Sequence, residues 1–362
     1  MSKSAGQWDN LVFSQVIPIG LRLVETGKVP DLLIRWVIRR LCASRIRELD
    51  TKDIESTYQY IQQFIEEIQS YPIALLTQKA NEQHYELPPE FFQLVLGKHL
   101  KYSACYFPSP YCSLDEAERY TLNLYVERAK IQNGQHILDL GCGWGSFTLF
   151  VAEKYPRCNI IALSNSSLQQ KYIESICLQK GLQNVQVMKA DICEWDTNSA
   201  QFDRIVSIEM FEHMKNYSLL LEKVAKWLKP QGLLFVHIFC HREFPYHFES
   251  EGEQNWMGRY FFSGGTMPSA SLLLYFQKHL QVIQQWAMNG RHYAQTAEHW
   301  LMRMDRHREQ IEPILQKTYK KDALKWLTYW RIFWMSCAEL FGYRNGNEWF
   351  VTHLLWRKKE TA

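Results

Sequence analysis

Two carboxylates and an imidazole, Glu209, Glu212 and His213, stand close together directly after the short apolar run from Phe202 to Ile208. Carboxylates attract a cation, and a histidine with an ordinary pKa of about 6.5 can accept a proton near neutral pH. If the apolar run is a strand, the three side chains lie at its carboxyl end, where ligands gather in open α/β sheets. The group predicts a site that binds a cation and deprotonates it. The alternative is structural: Glu212 and His213 cap the next helix and Glu209 contacts a loop.

A glycine-rich turn is the second candidate, because residues Leu138 to Gly145 read LDLGCGWG between a predicted strand and a predicted helix. Missing side chains let a ligand approach the backbone and the helix start. A dinucleotide site would need Gly-x-Gly-x-x-Gly, but the third glycine comes one position early, and there is no Lys-Ser/Thr pair of a P-loop. The carboxylate of Asp139 suits a ligand that carries a cation and no phosphate. Cys142 has no basic neighbour in sequence, so we expect it to be packed and not nucleophilic.

The composition excludes several classes of protein. With 362 residues, 46% hydrophobic and 14% aromatic, the chain can bury a large core and is not a disordered protein. The 41 basic residues against 38 acidic ones leave a net charge of only +3, which argues against a nucleic-acid partner. The apolar runs are too short to span a bilayer. Nine cysteines without a C-x-x-C pair, and no signal peptide in the sequence, predict reduced thiols and a cytoplasmic location.

Short apolar runs alternate with helical periods from Ile131 onward. The predicted strands cover His136 to Leu140, Asn159 to Leu163, Val185 to Met188, Phe202 to Ile208 and Gly232 to Phe239. The predicted helices between them cover Trp144 to Lys154, Leu168 to Gly181 and Asn216 to Leu228. Alternation of this kind builds a parallel sheet with helices on both faces, so the sequence predicts a doubly wound α/β core.

The rest of the chain is predicted to be mainly helical. We expect a helical N-terminal cap over residues 1–115, the core over 116–240, a helical substrate-binding cap with a late strand over 241–345, and the final strand of the core sheet within 346–362. The late strand is placed at Gln281 to Trp286 and the final one at Trp349 to Trp356. In the N-terminal cap a helix is predicted over Asp53 to Leu76, before the paired prolines Pro88 and Pro89.

A basic amphipathic helix is predicted near the N-terminus. Its arginines are Arg35, Arg39, Arg40, Arg45 and Arg47, and its apolar residues are Leu32, Leu33, Trp36, Val37, Leu41 and Ile46. We favour a solvated basic face over a buried apolar stripe, since most amphipathic helices face a core. The alternative is a helix that lies on an anionic membrane surface.

The glycine turn with its preceding aspartate is the motif I pattern of S-adenosylmethionine-dependent methyltransferases. Two further strand ends support a ligand of this type. Asp191 and Ile192 follow the third strand, where the acid could form a hydrogen bond to an adenine and the apolar side chain could pack against it. Ser164, Asn165 and Gln169 follow the second strand, where an acidic residue would be usual, but amide groups can also bond ribose hydroxyls.

Four motifs make the chain resemble the family that joins cyclopropane-fatty-acid synthases to coclaurine N-methyltransferase-like enzymes, from about Tyr85 to the C-terminus. They are KYSACYF at 101–107, the glycine turn, Ser164-Asn165 with Gln169, and EMFEHMKNY at 209–217. The resemblance implies a class I, Rossmann-like methyltransferase fold that uses S-adenosylmethionine. It implies that the cofactor is bound by Tyr102, Ser103, Asp139, Gly141, Gly143, Asn165, Gln169, Asp191 and Ile192.

The segments after Cys240 are similar to the amine branch of this family. We therefore expect an N-methyltransferase whose small-molecule partner is an amine, including an aromatic or alkaloid-like one. In this hypothesis Glu209 and Glu212 orient the amine and His213 is the general base. The substrate is expected to contact aromatic residues of the cap, namely Tyr246, Phe262, Tyr293, Tyr329 and Trp330. No metal is expected, because His237, His241 and His247 lack a compact ligand spacing.

The lipid branch is the alternative. Its members methylenate unsaturated acyl chains at a membrane surface, and a bicarbonate ion takes the released proton. Residues that match the bicarbonate ligands in this chain are Cys105, Glu212, His237 and Tyr293. Peripheral membrane contact is expected only for this alternative. A homodimer is compatible with both the amine and the lipid hypothesis. A third hypothesis, a non-catalytic protein that binds the cofactor, would retain the glycine turn.

Overall fold

A seven-stranded mixed sheet lies at the centre of the protein. The structure is a computed structural model that describes residues 20, 23–51, 53–75, 87–252 and 255–359. Its strands are His136–Leu140 (β1), Asn159–Ser164 (β2), Val185–Lys189 (β3), Phe202–Ile208 (β4), Leu228–His241 (β5), Leu280–Met288 (β8) and Trp349–Lys358 (β9). They are ordered β3-β2-β1-β4-β5-β9-β8, and a separate two-stranded sheet pairs Tyr246–His247 (β6) with Thr266–Met267 (β7). The doubly wound prediction is confirmed.

Strands β1 to β5 are parallel, β9 is antiparallel to β5, and β8 is antiparallel to β9. In β1 the residues Ile137 to Leu140 are all buried, as expected for a strand covered on both faces. Strand β5 begins at Leu228, four positions before the predicted start at Gly232. The reason is an irregularity in the pairing of β4 with β5. Leu228 pairs with Phe202, and the register then shifts, so the strand includes the intervening Pro-Gln-Gly segment.

Helices flank the sheet and form both caps. They are Asp31–Leu49 (α1), Ile54–Gln69 (α2), Pro89–Val95 (α3), Leu114–Arg128 (α4), Ser146–Lys154 (α5), Ser167–Lys180 (α6), Tyr217–Trp227 (α7), Trp256–Tyr260 (α8), Gly290–Arg306 (α9), Arg308–Tyr319 (α10) and Ala323–Gly342 (α11). The predicted helix from Asp53 ends at Gln69, whereas Leu76 and Tyr85 lie outside the described residues. Among the described helices, none combines the length and the apolar character needed to cross a membrane.

The buried face of α1 differs from the predicted one. Leu32 and Leu33 are 79% and 52% exposed, whereas Ile34 and Cys42 are buried. The reason is Arg35, whose guanidinium turns inward and bonds Glu298 at 2.6 and 2.8 Å and Glu339 at 3.0 Å. These ion pairs join α1 to helices α9 and α11. They draw part of the basic face onto the cap instead of leaving it in solvent, so the expectation of a fully solvated basic face was wrong.

Candidate active site

The carboxyl ends of β1, β2, β3 and β4 open into one cavity. The nine residues predicted to bind the cofactor all line it: Tyr102, Ser103, Asp139, Gly141, Gly143, Asn165, Gln169, Asp191 and Ile192. They come from the ends of β1, β2 and β3 and from the loop before α4. Parallel strands place their carboxyl ends at one edge of the sheet, which is why residues so distant in sequence meet here. The roles assigned to the individual residues remain predictions.

All three glycines of the turn have left-handed backbones, and two of them, Gly141 and Gly143, serve different purposes. At Gly141 φ is 85°, and a Cβ there would lie 2.7 Å from Cγ of Met210, so this glycine permits close packing. At Gly143 φ is 53°, and a Cβ would have no heavy atom within 4 Å. Because Gly143 lines the cavity, the missing side chain leaves space for a ligand against the backbone.

Asp139 supplies a buried carboxyl group to the same end of the cavity. Its Oδ2 accepts a hydrogen bond of 2.6 Å from Oγ1 of Thr148. Burial raises the pKa of Asp139 to about 7. An ionised carboxylate is costly in such a place unless a positive group is near. The site is therefore suited to the ammonium group of a ligand.

Three polar atoms in the cavity wall have no hydrogen-bond partner among the described residues. They are Nε2 of Gln169, Oγ of Ser146 and Nε1 of Trp144, and all three are buried. The carbonyl end of Gln169 is fixed, because its Oε1 accepts a hydrogen bond of 2.6 Å from Oγ of Ser164. Buried polar groups are normally paired, so these atoms indicate a polar ligand. The hydroxyl groups of a ribose fit the amide of Gln169.

The loop that carries Tyr102 and Ser103 is held by a buried carboxylate that the sequence analysis missed. Glu118 of α4 accepts hydrogen bonds from the backbone N–H groups of Gly97, His99 and Lys101, at 3.0, 2.7 and 3.2 Å. The side chain of Lys101 is also buried and donates to Oγ of Ser103 at 2.7 Å. Nothing in the local sequence distinguishes Glu118 from the exposed acids of the same helix, since its partners are backbone groups.

Glu209 is the best-connected acidic side chain of the candidate catalytic group. Its Oε1 accepts from the backbone N–H of Ala104 at 2.9 Å and lies 3.0 Å from Nε2 of His237. Its Oε2 accepts from the hydroxyl of Tyr293 at 2.8 Å. Burial raises the pKa of Glu209, and the positive charge of Lys101 and these donors oppose the rise. With φ of 48°, Glu209 also has the strained backbone that tends to occur at functional sites.

His213 lines the same cavity from a short 3₁₀ turn, Phe211–His213. Its imidazole stacks on the ring of Phe262, with centroids 4.6 Å apart and planes inclined by 19°. Burial lowers the pKa of His213 to about 4, so the ring is neutral at physiological pH. A Cβ on Gly265 would lie 2.2 Å from Cδ1 of Phe262, so the glycine leaves room for this ring.

Glu212 occupies a different place from the other two candidate catalytic residues. It is fully buried, is absent from the cavity lining, and accepts a hydrogen bond of 2.8 Å from the backbone N–H of Phe239. Burial raises the pKa of Glu212 well above its ordinary value, and the negative charge of Glu209 raises it further. The structure thus brings Glu209 and His213 together at the cavity and places Glu212 behind them.

The residues matched to the bicarbonate ligands, Cys105, Glu212, His237 and Tyr293, make different contacts in the structure. His237 and Tyr293 contact Glu209 and not Glu212, because Glu209 ends β4 beside His237 of β5 whereas Glu212 turns toward the backbone of Phe239. Cys105 is buried without lining the cavity, and its backbone N–H donates to Thr296.

The five aromatic residues expected at the substrate divide into two groups. Phe262 contacts His213 and Tyr293 contacts Glu209, so both stand at the candidate catalytic group. The others are buried elsewhere in the cap: Trp330 packs on Phe91, the hydroxyl of Tyr329 donates to Glu25, and that of Tyr246 accepts from Trp349. None of the five is in the lining of the described cavity, and the rings of these three fill the interior of the cap.

The three histidines considered for a metal lie in separate contacts. His237 bonds Glu209, while the rings of His241 and His247 lie 3.2 and 3.3 Å from Glu348 and Glu67. Over the described residues, no group of three or more histidines, cysteines and acids has the arrangement of a metal site.

Comparisons with known proteins identify the family. Residues 76–349 match the family model described as mycolic acid cyclopropane synthetase. The chain is 41% identical to (S)-coclaurine N-methyltransferase of Papaver somniferum over 343 residues, which are 94% of this chain and 97% of that enzyme. The chain belongs to this methyltransferase family. A crystal structure of coclaurine N-methyltransferase bound to N-methylheliamine and SAH has a TM-score of 0.92 at 41% identity and covers 95% of this chain and 100% of its own.

More distant relatives fall in the lipid branch of the family. Cyclopropane-fatty-acyl-phospholipid synthase of Escherichia coli is 28% identical over 272 residues, covering 75% of this chain and 66% of that enzyme. A cyclopropane synthase of Mycobacterium tuberculosis shares the fold with a TM-score of 0.66 at 22% identity, covering 79% of this chain and 99% of its own. The family consists of S-adenosylmethionine-dependent methyltransferases, and the chain is such an enzyme.

Proposed function

We propose that the protein transfers a methyl group from S-adenosylmethionine to the nitrogen of an alkaloid-like amine. The observation that carries the proposal is the pairing of Glu209 with His213 at one cavity, in a chain 41% identical to a coclaurine N-methyltransferase. The carboxylate attracts an ammonium group, and the neutral imidazole accepts its proton. These are the two tasks that N-methylation of an amine requires at neutral pH.

The methyl donor fits the cavity beside this pair. We infer that Asp139 holds the ammonium of its methionine part, the amide of Gln169 its ribose, and Asp191 with Ile192 its adenine. When bound, S-adenosylmethionine supplies an electrophilic methyl group on a positively charged sulfur.

The chain's own residues prepare the amine. Glu209 binds the ammonium form, and the proton moves from the nitrogen to the imidazole of His213. The freed nitrogen lone pair then forms the bond to the methyl carbon while the carbon–sulfur bond breaks and its electrons return to sulfur. Burial lowers the pKa of His213 to about 4 in the free protein, and the negative charge of Glu209 opposes this, so the carboxylate stabilises the imidazolium that the proton transfer forms. Positioning of the two reactants supplies much of the rate.

Aromatic rings complete the proposed amine site. Phe262 stacks on His213, and the phenol of Tyr293 is held by Glu209 and by a stack on Phe341 at 4.2 Å. The faces of such rings attract a cationic amine by about 0.5–2 kcal/mol each. Glu212 acts indirectly in this scheme, because it anchors the turn that carries His213 to β5.

The lipid reaction is the second candidate, since the family model and the E. coli relative point to it. Of the residues that match the bicarbonate ligands, His237 and Tyr293 contact Glu209. Its carboxylate oxygens already accept hydrogen bonds from Ala104 and Tyr293 and contact His237. This arrangement favours the amine reaction, in which the carboxylate itself meets the substrate.

A paired assay tests the proposal. The purified protein is incubated with S-adenosylmethionine and either a panel of amines that includes coclaurine and simpler tetrahydroisoquinolines, or liposomes of unsaturated phospholipid, and products are identified by mass spectrometry. We expect methylated amines and unchanged lipids from the wild type, and methylation about 10²-fold slower in Glu209→Gln. Cyclopropane lipids without any methylated amine would overturn the proposal. Binding of the methyl donor without turnover on either class would favour the non-catalytic hypothesis.

A further inference from the structure

A hydrogen-bonded row of polar side chains, here called the histidine chain, extends from Glu209 along the sheet toward its β8 edge. Nε2 of His237 lies 3.0 Å from Oε1 of Glu209, and Nδ1 of His237 lies 2.9 Å from Nε2 of His353. Nδ1 of His353 in turn lies 2.7 Å from Nη1 of Arg128. Both histidines are fully buried, and a ring of Trp286 covers the guanidinium at 4.8 Å.

The register of the sheet builds this chain. His237 of β5 and His353 of β9 are direct cross-strand partners, and Trp286 of β8 is the partner of His353. The three side chains therefore form a row across three antiparallel strands, and α4 supplies Arg128 at its end. Cross-strand neighbours lie close enough for their side chains to interact directly.

The two ends of the chain fix the direction of every hydrogen bond in it. A guanidinium can only donate, so Nδ1 of His353 must be an acceptor and its Nε2 carries the proton. That N–H donates to Nδ1 of His237, which leaves the proton of His237 on Nε2, directed at Glu209. The carboxylate at the other end can only accept, so it requires the same order. Both ends select one tautomer of each imidazole.

Tyr125 also approaches the chain, because its hydroxyl lies 2.8 Å from Nδ1 of His237. A hydroxyl can donate or accept, so Tyr125 is compatible with either tautomer of His237. His353, when held by Arg128, is compatible with only one. Arg128 therefore selects the tautomer of His353, and His353 reinforces the preference of Glu209 for the Nε2–H form of His237.

We propose that Arg128 and His353 are positioning residues that lock His237 in its Nε2–H tautomer and so keep a hydrogen-bond donor aimed at Glu209. This inference rests on the proposed role of Glu209 in binding the amine. A donor stabilises the charged form of a buried carboxylate. The direction of the chain also prevents a proton on Glu209 from leaving through the histidines, since His237 already presents its own proton there. The proton released by the amine must depart on the cavity side, where His213 lies.

Other charged and titratable groups also act on Glu209. Lys101 and His213 oppose the rise in its pKa, and the phenol of Tyr293 donates to it. The neighbouring acid Glu212 is buried. These groups are unchanged in variants of Arg128. A shift in the pKa of Glu209 in such a variant therefore reports on His237 and His353.

The test uses full-length protein labelled with ¹⁵N in its histidines. In the wild type, NMR should show His237 and His353 as Nε2–H tautomers. In Arg128→Met the lock is lost, so we expect His353 to show a proton on Nδ1 and His237 to show a mixture. Arg128→Lys retains a donor without an acceptor and should restore the wild-type tautomers. Arg204→Met is the matched control, since Arg204 is also partly buried but bonds only backbone carbonyls of residues 129, 130 and 203.

Kinetics provide the second readout. Loss of the donor raises the pKa of Glu209, so the acid limb of kcat/KM in Arg128→Met should move up by about one pH unit, equal to about a tenfold loss on that limb. Arg128→Lys and Arg204→Met should keep the wild-type profile. Wild-type tautomers and an unshifted limb in a folded Arg128→Met would overturn the inference. If the wild type methylates no amine, the proposed function fails, while the NMR result still decides whether Arg128 sets the tautomers.

Discussion

The imidazole of His213 lies almost parallel to the ring of Phe262, with the two centroids 4.6 Å apart. Phe262 itself packs against Phe248 at 4.7 Å, so His213 is the last member of an aromatic stack that enters the cap. The stack excludes water from one face of the imidazole. It is therefore one physical cause of the burial that keeps this histidine neutral.

Replacement of Phe262 by leucine tests this relationship. Phe262→Leu keeps an apolar side chain but opens the face of His213, so we expect the pKa of His213 to rise from about 4 toward its ordinary value. Methylation should fall several-fold, because the amine also loses a ring. An NMR titration of the imidazole measures the pKa. Phe248→Leu, which removes a ring from the stack without removing the partner of His213, should leave the titration near the wild-type value.

The two acids of the catalytic group should respond differently to conversion into amides. Glu209→Gln places an amide N–H against donors from Ala104, Tyr293 and His237, so kcat/KM should fall on the order of 10²-fold. Glu212→Gln should change kcat/KM by less than about threefold, because burial raises the pKa of Glu212 and so favours the neutral form that an amide resembles, and the amide oxygen can still accept from Phe239. Equal losses in steady-state kinetics would contradict the assignment of Glu212 to an anchoring role.

The turn should lose the methyl donor when its open space is filled. Gly143→Val puts a branched side chain into the cavity, so calorimetric titration with S-adenosylmethionine should show no binding. Gly181→Val is the matched control, because Gly181 has a similar φ of 64° and open space around its Cβ but lies at the end of α6, away from the cavity. Both variants pay about 1–2 kcal/mol for a left-handed backbone, and only the first should lose affinity. Unchanged affinity of Gly143→Val would refute the cofactor site.

Binding of the methyl donor should release a proton from Asp139. In the free protein burial raises the pKa of Asp139 to about 7, and a bound ammonium would lower it again. Affinity should therefore rise about tenfold per pH unit below pH 7 and level off above about pH 8. Calorimetry in buffers of different ionisation enthalpy counts the released protons. Asp139→Asn should bind the methyl donor more weakly and without this pH dependence. Burial also raises the pKa of Glu118 to about 7, but Glu118 is unchanged in this variant, so any pH dependence that remains would come from Glu118.

The sequence predicted the features that depend on residues close together along the chain. The strand β4 was placed at its observed bounds. The residues predicted to bind the cofactor line one cavity, because glycines, amides and acids at strand ends are visible in sequence, while Tyr102 and Ser103 were assigned by resemblance. The contacts of Arg35 with Glu298 and Glu339 were missed, since ion pairs between residues so far apart leave no periodic signal. The row of His237 and His353 was missed for the same reason, because it depends on the register between β5 and β9.

The neutral state of His213 should also be visible in the acid stability of the protein. The folded-state pKa of about 4 lies below the ordinary value of about 6.5, so the unfolded chain binds more protons between these two pH values. Stability is therefore lost as the pH falls through this window, and His213 accounts for about 1 kcal/mol of the loss between pH 7 and pH 5.5. Urea unfolding at the two pH values should show a smaller acid loss in His213→Asn. His241→Asn should behave alike, because burial also lowers the pKa of His241 to about 4, but it should keep full methylation activity because His241 lies outside the cavity lining. An undiminished acid loss in both variants would mean that these histidines take up protons without unfolding.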